Sequence, residues 1–252
     1  MDKKENLILI AVRLKSKGLK KKALLPLNNL PLIVILTERL KRAKKANKVI
    51  WCTTINSEDD ELEYQANKYG VYCYRGSELD VLSRFIEVAE KFKSKNIVRV
   101  TGDNPLTDPE IIDYLLQKHD ESLAEYTYCD NIPVGSRSEI ISYNALKYCH
   151  KNIQKPQNSE YMTWMLNRND IFKVNIIKHF DNQITYPNIN LTVDTNEEYN
   201  NIKTIFNYFE NNDFKLKDVV NYIVNNKEIM NKFCLKKNSK KLLINIKYKF
   251  EK

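Results

Sequence analysis

The run Leu7-Ile8-Leu9-Ile10-Ala11-Val12, followed directly by a basic stretch at residues 13–22, decides the fold. Six consecutive apolar residues are typical of a strand buried on both faces, because a half-exposed strand would alternate apolar and polar side chains. The cationic residue Arg13 then ends the strand. Ligands of open α/β sheets bind beyond the carboxyl ends of the strands, so this basic loop is the first candidate site.

Strand and helix patterns alternate through the first half of the chain. Successive β-α units imply a mostly parallel sheet that is covered by helices on both faces. We therefore predict an α/β fold with a Rossmann-like central sheet. Further strands are predicted at 49–53, 71–74 and 96–100, and helices are predicted from Pro31, at 58–69 and at 80–93.

The second half of the chain is less regular. From 244 to 250, apolar residues alternate with polar ones, as in an exposed edge strand that could pair across a homodimer. We predict one domain over residues 1–252, with an inserted lobe at 125–180 and with C-terminal helices and that edge strand at 211–252. Strands are predicted at 125–129, 139–142, 171–177 and 189–193, and helices at 144–152, 159–169, 195–210 and 215–226.

Composition narrows the class of protein. Of the 252 residues, 42% are hydrophobic and 29% are charged, and the mean hydropathy of −0.53 suits one sizeable core. No apolar run approaches the ~18 residues that a membrane span needs, and the N-terminus lacks the long apolar stretch of a signal peptide. Five scattered cysteines without a C-x-x-C pair argue against disulfides and zinc, and favour the cytoplasm.

The chain is strongly basic. Its formal net charge is +9 and its pI is about 9.1, which favours anionic partners. Charge alone leaves phosphates, nucleic acid and membrane surfaces open. A nucleic-acid-binding protein is the alternative from another class, and its binding would depend steeply on salt. That alternative gives no role to the aspartates at predicted strand ends, so we expect neither a nucleic acid nor a membrane as partner.

The basic loop has the composition of a triphosphate-binding segment. A triphosphate needs several cationic donors and free backbone amides in a loop that can wrap around it. The position of the loop after the first strand favours this function over an ordinary solvated loop, which charge alone would also allow. The residues concerned are Arg13, Ser16, Lys17, Gly18, Lys20 and Lys22.

Two aspartates, Asp103 and Asp194, each follow a predicted strand. Mg²⁺ usually takes one or two protein carboxylates together with phosphate oxygens and water, so this pair is a candidate magnesium site. The competing interpretations are a turn for Asp103 and a helix cap for Asp194. Thr195 already fits as a helix cap, which leaves Asp194 for the metal. Asp108 with Pro109 is better explained as the start of a helix.

Five segments in order carry a resemblance to a known family. They are Ala11–Lys22, Thr53–Asp60, Tyr74–Arg84, Val98–Leu106 and Leu191–Thr195. Together they resemble the cytidylyltransferases of the spore-coat-polysaccharide type, which are relatives of enzymes that make CMP-activated sugar acids. One segment alone is a weak signal, but five in order are specific. The resemblance implies a nucleotidyltransferase fold, CTP as substrate and Mg²⁺ as cofactor.

The resemblance also implies roles for individual residues. Arg13 and Lys22 match the phosphate-binding cations of the family and are the expected catalytic residues, while Asp103 and Asp194 match its metal carboxylates. No catalytic histidine is expected, because none lies in these segments. The residues expected around the nucleotide are Leu14, Ser16, Lys17, Thr53, Thr54, Arg75, Ser77, Asp80, Arg84, Thr101 and Gly102.

The first loop departs from the family pattern at three positions. Lys15 stands where the family has a glycine, Gly18 where it has a second arginine, and Lys20 where it has a proline. These changes keep the charge of the loop while altering the residues that set its shape.

The region expected to bind the acceptor differs more. Arg137 brings a planar cationic fork that suits a carboxylate or phosphate, whereas Glu139 and Glu160 suit an amine or hydroxyls. Ordinary surface roles remain open for each of them. Here the sequence is similar to enzymes that transfer a cytidylyl group to phosphorylated glutamine, on the route to phosphoramidate groups of bacterial capsules. We therefore expect a small anionic acceptor such as L-glutamine phosphate. The alternative acceptors are a sugar acid and a sugar phosphate. The alternative function is a nucleotide-binding module without catalysis.

Overall fold

A computed structural model of the chain describes residues 5–15, 18–157, 162–178, 181–235 and 246–251. Within these ranges, no helix is both long and apolar enough to cross a bilayer. The strands are β1 (Glu5–Ala11), β2 (Pro26–Leu27), β3 (Leu30–Pro31), β4 (Lys48–Thr54), β5 (Tyr72–Gly76), β6 (Ser94–Thr101), β7 (Tyr126–Cys129), β8 (Glu139–Ser142) and β9 (Val174–Ile177). The helices are α1 (Leu32–Leu40), α2 (Asp60–Lys68), α3 (Val81–Lys91), α4 (Pro109–Ser122), α5 (Tyr143–Asn152), α6 (Met162–Leu166), α7 (Asn196–Phe209), α8 (Leu216–Val224) and α9 (Lys227–Phe233).

The described strands form a central sheet in the order β5-β4-β1-β6-β8-β7-β9, with β2 and β3 in a separate small ribbon. Parallel pairing joins β5, β4, β1 and β6, and β9 pairs parallel with β7. β8 alone among the described strands of this sheet runs against its neighbours β6 and β7. The predicted α/β fold with a mostly parallel sheet is therefore confirmed.

β1 lies inside the sheet and is buried on both faces, as its unbroken apolar run predicts. Leu7 and Leu9 pack with α3, α5 and α6 on one face, and Ile8 and Ile10 pack with α1, α4 and α7 on the other. All four side chains are fully buried. Because both faces and both edges of β1 are covered, its carboxyl end is a fixed root for the basic loop that follows.

Two helix starts follow the signals in the sequence. Asp108 caps α4, because its carboxylate accepts the amides of Glu110 at 2.8 Å and Ile111 at 3.3 Å, and a proline follows it. Thr195 caps α7 through a reciprocal capping box with Glu198. These caps fix the two loops that carry the candidate metal carboxylates.

The strand predicted at 189–193 is wrong. Within that run, Asn190 makes an isolated parallel bridge with Val134 and does not extend the sheet. The apolar side chains are buried, but the backbone amides of Leu191 and Val193 donate to carbonyls in loops rather than to a neighbouring strand. Burial under loops and burial in a sheet produce the same apolar pattern, which explains the error.

Some element ends differ from the predictions. Pro31 is the N-cap of α1 rather than its first residue, because it pairs with Pro26 in the small β2-β3 ribbon. The helix predicted at 215–226 is α8, which ends two residues earlier. Asn226 then caps α9, which lies in the range predicted to hold C-terminal helices but whose bounds were not predicted. β9 begins three residues later than predicted, and α6, described from Met162, ends at Leu166, three residues earlier than predicted.

The exposed strand predicted at 244–250 is wrong in its described part, residues 246–250. Tyr248 is fully buried, and its hydroxyl donates to the carbonyl of Met165 at 2.8 Å. Its ring packs against Phe172 with the ring centroids 6.2 Å apart. The alternation arises because Tyr248 enters the core beside α5. These residues therefore do not present the free edge that could have paired across a homodimer.

Asp108→Ala is expected to lower the free energy of unfolding by about 2–4 kcal/mol, because the carboxylate also accepts the buried amide of Leu216 at 2.8 Å. A lost cap costs about 1 kcal/mol, and a buried unpaired amide adds about 1–3 kcal/mol. Urea unfolding followed by circular dichroism measures the change. The control is Asn226→Ala, which removes the cap of α9 and should cost about 1 kcal/mol. Equal losses in the two variants would contradict the double role of Asp108.

Candidate active site

Lys22 lies at the centre of a polar cluster at the carboxyl edge of the sheet. Its ammonium nitrogen Nζ is 2.5 Å from Oδ2 of Asp103 and 2.6 Å from Oδ1 of Asp194. Asp103 follows β6 and Asp194 precedes α7, so three distant parts of the chain meet at one atom. The side chains of Lys22 and Asp103 are 14% and 21% exposed, whereas that of Asp194 is 61% exposed. The cluster therefore opens to solvent on the side of Asp194.

Lys22 carries its charge in this setting. Burial by itself would lower the pKa of Lys22, but the charges and hydrogen bonds of Asp103 and Asp194 outweigh burial and raise that pKa. Conversely, the ammonium compensates two carboxylates that would repel each other at this distance. The cluster thus keeps one positive and two negative groups together at the edge where ligands of such sheets bind.

A tight turn places Lys22 in the cluster. Lys21 has a left-handed backbone conformation, with φ of 51°, and its amide donates to the carbonyl of Leu14 at 3.2 Å. Lys22 then begins a single turn of 3-10 helix that ends at Leu24. The loop therefore closes on its own beginning, and this closure brings Lys22 back to the sheet edge.

The basic loop is also fixed to the backbone of Asp194. The amide of Leu19 donates to the Asp194 carbonyl at 2.9 Å. At Gly18 an added Cβ would lie 2.3 Å from the same oxygen, so the loop can follow this path only with glycine there. The departure from the family pattern at position 18 is thus a requirement of the local geometry.

Asp103 is held from two directions. The Thr101 hydroxyl donates to Oδ1 of Asp103 at 2.7 Å, which leaves Oδ2 facing Lys22. The carbonyl of Asp103 accepts the amide of Val193 at 3.0 Å, and this bond joins the two loops that carry the aspartates. Gly102 lies between Thr101 and Asp103 in the chain, and an added Cβ there would come within 2.8 Å of the Val12 side chain. Close backbone approach at Gly102 therefore sets the distance between β6 and the first loop.

Asp103 and Asp194 could hold a divalent cation with help from a ligand. Oxygens that both contact one ammonium nitrogen are close enough to reach one Mg²⁺, whose bonds to oxygen are about 2.1 Å long. No group of three or more His, Cys, Asp or Glu suited to a metal occurs in the described part of the chain. A cation here would need further oxygens from phosphate and water, which is the mixed set that Mg²⁺ commonly keeps.

The expected nucleoside region centres on Asp59, a buried residue that sequence reasoning missed. Asp59 is 1% exposed, its Oδ1 accepts the amide of Leu14 at 2.7 Å, and its other oxygen accepts the Thr54 hydroxyl. Thr53 is also fully buried. Asp59 therefore ties the first loop to the end of β4 through Leu14 and Thr54.

Two arginines expected near the nucleotide are engaged with the protein. Arg75 donates from Nε to the carbonyl of Thr54 at 2.9 Å and forms an ion pair with Asp60 at 2.6 Å. Arg84 is buried and donates to the carbonyl of Cys52 at 2.9 Å. Burial lowers the pKa of Arg84. Both side chains brace the end of β4 and the loop after it.

Asp80 and Ser77 shape the loop before α3. Asp80 caps this helix by accepting the amide of Ser83 at 2.9 Å, and the Ser77 hydroxyl accepts the amide of Asp80 at 3.2 Å. The second oxygen of Asp80 lies 2.7 Å from Nε2 of His150 on α5. A histidine therefore does reach the expected nucleotide region, although no histidine lies in the sequence segments that define it.

Glu78 neutralises cations of the first loop. Its carboxylate lies 3.8 Å from the guanidinium of Arg13 and 3.9 Å from the ammonium of Lys15, and it accepts a hydrogen bond from the Asn56 amide at 2.8 Å. A triphosphate bound to this loop would compete with Glu78 for the same two cations.

The residues expected to bind the acceptor have partners within the chain. Arg137 donates from Nε and Nη2 to the carbonyl of Ile132, at 3.0 and 2.7 Å, and burial lowers the pKa of Arg137. Glu139 pairs with Arg99 at 3.0 Å and accepts the Thr163 hydroxyl at 2.5 Å. The predicted site residues that lie outside the described ranges are Ser16, Lys17 and Glu160.

The structure thus brings Lys22, Asp103 and Asp194 together. The other predicted residues that it describes lie in loops, except for Thr53 and Thr54 on β4, Arg75 on β5, Arg84 on α3, Thr101 on β6 and Glu139 on β8. Sequence reasoning missed Asp59 and Glu78, and also Arg99. Each lies in a segment that carried the family resemblance, one or a few positions from a residue that was singled out. That proximity is the signal by which they could have been found.

Residues 7–238 match the sequence profile of the cytidylyltransferase family. The chain belongs to this family. The spore coat polysaccharide biosynthesis protein SpsF of Bacillus subtilis is 33% identical over 206 residues, which cover 79% of this chain and 85% of that protein. The family predicted from the five segments is therefore confirmed.

Solved structures agree with this membership. A cytidylyltransferase from Leptospira borgpetersenii superposes with a TM-score of 0.83 at 27% identity, covering 93% of this chain and 100% of that one. A CMP:2-keto-3-deoxy-manno-octonic acid synthetase solved with CTP shares the fold, with a TM-score of 0.63 at 16% identity over 81% of this chain and 99% of that one.

Gly18→Ala is expected to lower cytidylyltransferase activity on the order of 10²-fold while leaving the midpoint of thermal unfolding nearly unchanged. The added methyl group meets a backbone oxygen, so the loop must move, and a displacement of about 1 Å in a site can cost that much. Steady-state kinetics and a thermal melt measure the two effects. Lys20→Ala is the matched control in the same loop and should stay within about twofold of wild type, since charges at exposed positions contribute little. Full activity in Gly18→Ala would show that the loop does not need this path.

Proposed function

We propose that this cytidylyltransferase transfers the cytidylyl group of CTP, bound as a Mg²⁺ complex, to the phosphate of a small acceptor. The acceptor that we propose is L-glutamine phosphate, which would give CDP-L-glutamine and pyrophosphate for the modification of a capsule or other surface polysaccharide. The observation that carries the proposal is the contact of Lys22 with Asp103 and Asp194. That contact offers one cation for phosphate oxygens and two carboxylates for a divalent cation.

The first loop supplies the cations for the triphosphate. Arg13 is rooted at the end of β1, and Lys22 returns to the same edge through the turn closed on Leu14. In the free enzyme, Glu78 partners Arg13 and the two aspartates partner Lys22. Phosphate oxygens would replace these carboxylates as partners, so both cations are already charged and oriented before the nucleotide binds.

Asp103 and Asp194 would hold the Mg²⁺ ion. When bound, the ion supplies positive charge beside the phosphates. The Thr101 hydroxyl holds Asp103 through Oδ1, so Oδ2 is oriented toward the cluster before any ligand arrives. Asp194 is the more exposed of the two carboxylates and lies on the side from which a nucleotide can enter.

The reaction needs no general base. An ionised oxygen of the acceptor phosphate attacks the α-phosphorus of CTP, and the bond from that phosphorus to the bridging oxygen of the β-phosphate breaks. The electron pair of the broken bond leaves with pyrophosphate, and no proton has to be removed from the attacking oxygen. The chain therefore contributes position and positive charge, through Arg13 and Lys22, to the oxygens that gain negative charge.

A sugar acid or sugar phosphate is the second candidate acceptor, because a synthetase that shares this fold is named for a sugar acid. The test is pyrophosphate release measured with each of the four nucleoside triphosphates against L-glutamine phosphate, a sugar acid and a sugar phosphate. We expect turnover with CTP and L-glutamine phosphate, and kcat/KM at least about tenfold lower for every other pair.

Lys22→Ala serves as the nearly inactive reference in this assay. Its kcat should fall on the order of 10²–10³-fold, because the variant lacks a group that stabilises the charge of the transition state. Lys21→Ala, its neighbour in the turn, is the matched control. Preference for ATP or UTP would overturn the assignment of CTP, and turnover with the sugar acid alone would overturn the acceptor.

Asp194→Asn is expected to raise the Mg²⁺ concentration needed for half-maximal rate by roughly tenfold or more, because a neutral amide is a weaker ligand for Mg²⁺ than a carboxylate. A Mg²⁺ titration at saturating CTP measures this. Asp213→Asn is the control, since Asp213 is an exposed aspartate paired with Arg42 outside the cluster. An unchanged titration curve in Asp194→Asn would argue against Asp194 as a ligand.

A further inference from the structure

A second polar cluster lies beside the first, on the face of the sheet that α5 and α6 cover. Arg99 of β6 and Glu139 of β8 are paired directly across the two strands, with Nη1 3.0 Å from Oε1. Their side chains are 16% and 14% exposed, so the pair is largely buried but still reached by solvent. The hydroxyl of Thr163 on α6 donates to the same carboxylate oxygen at 2.5 Å.

Two buried polar atoms of this cluster receive no well-formed hydrogen bond from the residues that the structure describes, although the Tyr126 hydroxyl lies beside Glu139 and Thr163. Oε2 of Glu139 and the hydroxyl of Tyr126 make no hydrogen bond of acceptable geometry with the described part of the chain. Tyr126 is fully buried, and burial, followed by the neighbouring Glu139 charge, raises its pKa well above the usual value, so its hydroxyl keeps its proton. A buried polar group left unpaired destabilises the protein, and a ligand that completes its hydrogen bonding would recover that free energy.

Arg99 also has capacity to spare. A guanidinium carries five N–H donors in a planar fork, and the contact with Glu139 uses one of them. Its guanidinium makes no other hydrogen bond to residues that the structure describes. The cluster therefore offers an incompletely used cation beside an incompletely used carboxylate.

The cluster lies next to the candidate active site on the acceptor side. Arg99 and Thr101 are alternate residues of β6 and project from the same face, roughly 6.6 Å apart along the strand. The Thr101 hydroxyl holds Asp103, so Arg99 is one step from the metal carboxylate. The loops expected to hold the nucleotide follow β1, β4 and β5, which lie on the opposite side of β6 from β8.

Resting on the proposed function, we infer that Arg99, Tyr126 and Glu139 form a subsite for the α-amino and α-carboxylate groups of an amino-acid acceptor. Arg99 takes the carboxylate, Glu139 takes the ammonium group, and the Tyr126 hydroxyl donates to whichever oxygen faces it. Arg137, predicted for this task from the sequence, is instead held against the carbonyl of Ile132.

The chemistry of the cluster selects a zwitterion. A fixed cation and a fixed anion side by side match a group that carries both charges, whereas a sugar acid has a carboxylate and no ammonium. The hydroxyls of a sugar acid could donate hydrogen bonds to Glu139, but a neutral hydroxyl compensates a buried carboxylate less well than a charged ammonium group does. In glutamine phosphate, four atoms separate the α-carbon from the phosphorus and span roughly 6 Å when extended, which is close to the step from Arg99 to Thr101.

The test compares L-glutamine phosphate with its analogue that lacks the α-amino group and with its analogue whose α-carboxylate is a neutral amide. Pyrophosphate release is measured at saturating CTP and Mg²⁺. Glu139→Gln should raise the KM for L-glutamine phosphate by at least about tenfold, and should change the KM for CTP by less than about twofold. With the analogue that lacks the amino group, Glu139→Gln and wild type should have equal KM values for the acceptor, because the contact that the variant removes is already absent.

Arg99→Lys keeps the charge and removes the fork, so it should raise the KM for L-glutamine phosphate but not the KM for the neutral-amide analogue. Arg168→Gln is the matched control, since Arg168 is another partly exposed arginine, paired with Asp170 and Glu251 away from this cluster. Thermal unfolding of each variant establishes that it is folded. If a variant does not fold, discrimination between the three acceptors by the wild-type enzyme decides the question.

The outcomes separate this inference from the function on which it rests. Equal use of L-glutamine phosphate and its deaminated analogue by wild type would overturn the subsite and leave cytidylyl transfer to glutamine phosphate intact. If the enzyme releases pyrophosphate with a sugar acid but not with L-glutamine phosphate, the proposed acceptor is wrong, and so is the zwitterion subsite. If Glu139→Gln raises the KM for CTP as much as it raises the KM for the acceptor, Glu139 is merely structural.

Discussion

The contact of one ammonium with two carboxylates is the constraint on which the site depends. Asp103 and Asp194 come from loops far apart in the chain, and two like charges so close would separate unless a cation lay between them. Lys22 provides that cation, which explains why its loop closes so tightly on Leu14 and why the loop touches the Asp194 backbone. The cluster is arranged around a positive charge at its centre, whether that charge is an ammonium or a metal ion.

This arrangement also explains how the fold and the site are connected. β1 and β6 are neighbours inside the sheet, and the loops that follow them meet at Gly102, where the backbone approaches Val12 closely. The third loop, which carries Asp194, joins them through a backbone hydrogen bond from Val193 to Asp103. The end of β6 therefore sets the position of Asp103, and the turn closed on Leu14 sets that of Lys22, while Asp194 remains the most exposed member. The site is held in place where it meets the sheet, and it is open to solvent at Asp194, just before α7.

Local pattern was sufficient where a residue's role depends on its immediate neighbours. The apolar run of β1 implied burial on both faces, and Asp108 and Thr195 implied helix caps, because a cap bonds to amides only two or three positions away. Five segments in order predicted the family and singled out Lys22, Asp103 and Asp194 as site residues. Their spacing reflects strands that end at one edge, which a sequence can show without any knowledge of side-chain contacts.

Local pattern failed where the partner is distant in sequence. Arg137 has the composition of a free cationic fork, but the carbonyl of Ile132 occupies two of its donors. Asp59 looks like one more acidic residue near the start of α2, yet it is buried because it accepts the amide of Leu14. Residues 189–193 have the apolar character of a strand and are covered by loops instead. In each case the sequence specifies the side chain, and the tertiary structure specifies its partner.

The position of Tyr248 bears on the order in which this chain can fold. Its partners Met165 and Cys149 precede it by 83 and 99 positions, so the core beneath α5 and α6 is incomplete until residues near 248 have been synthesised. Contacts this far apart in sequence form late, because a long loop must close first. Among the described residues the core on the other face of the sheet is complete at Phe233, so the core that Tyr248 completes is the last to be covered during synthesis, and assistance from chaperones should act there.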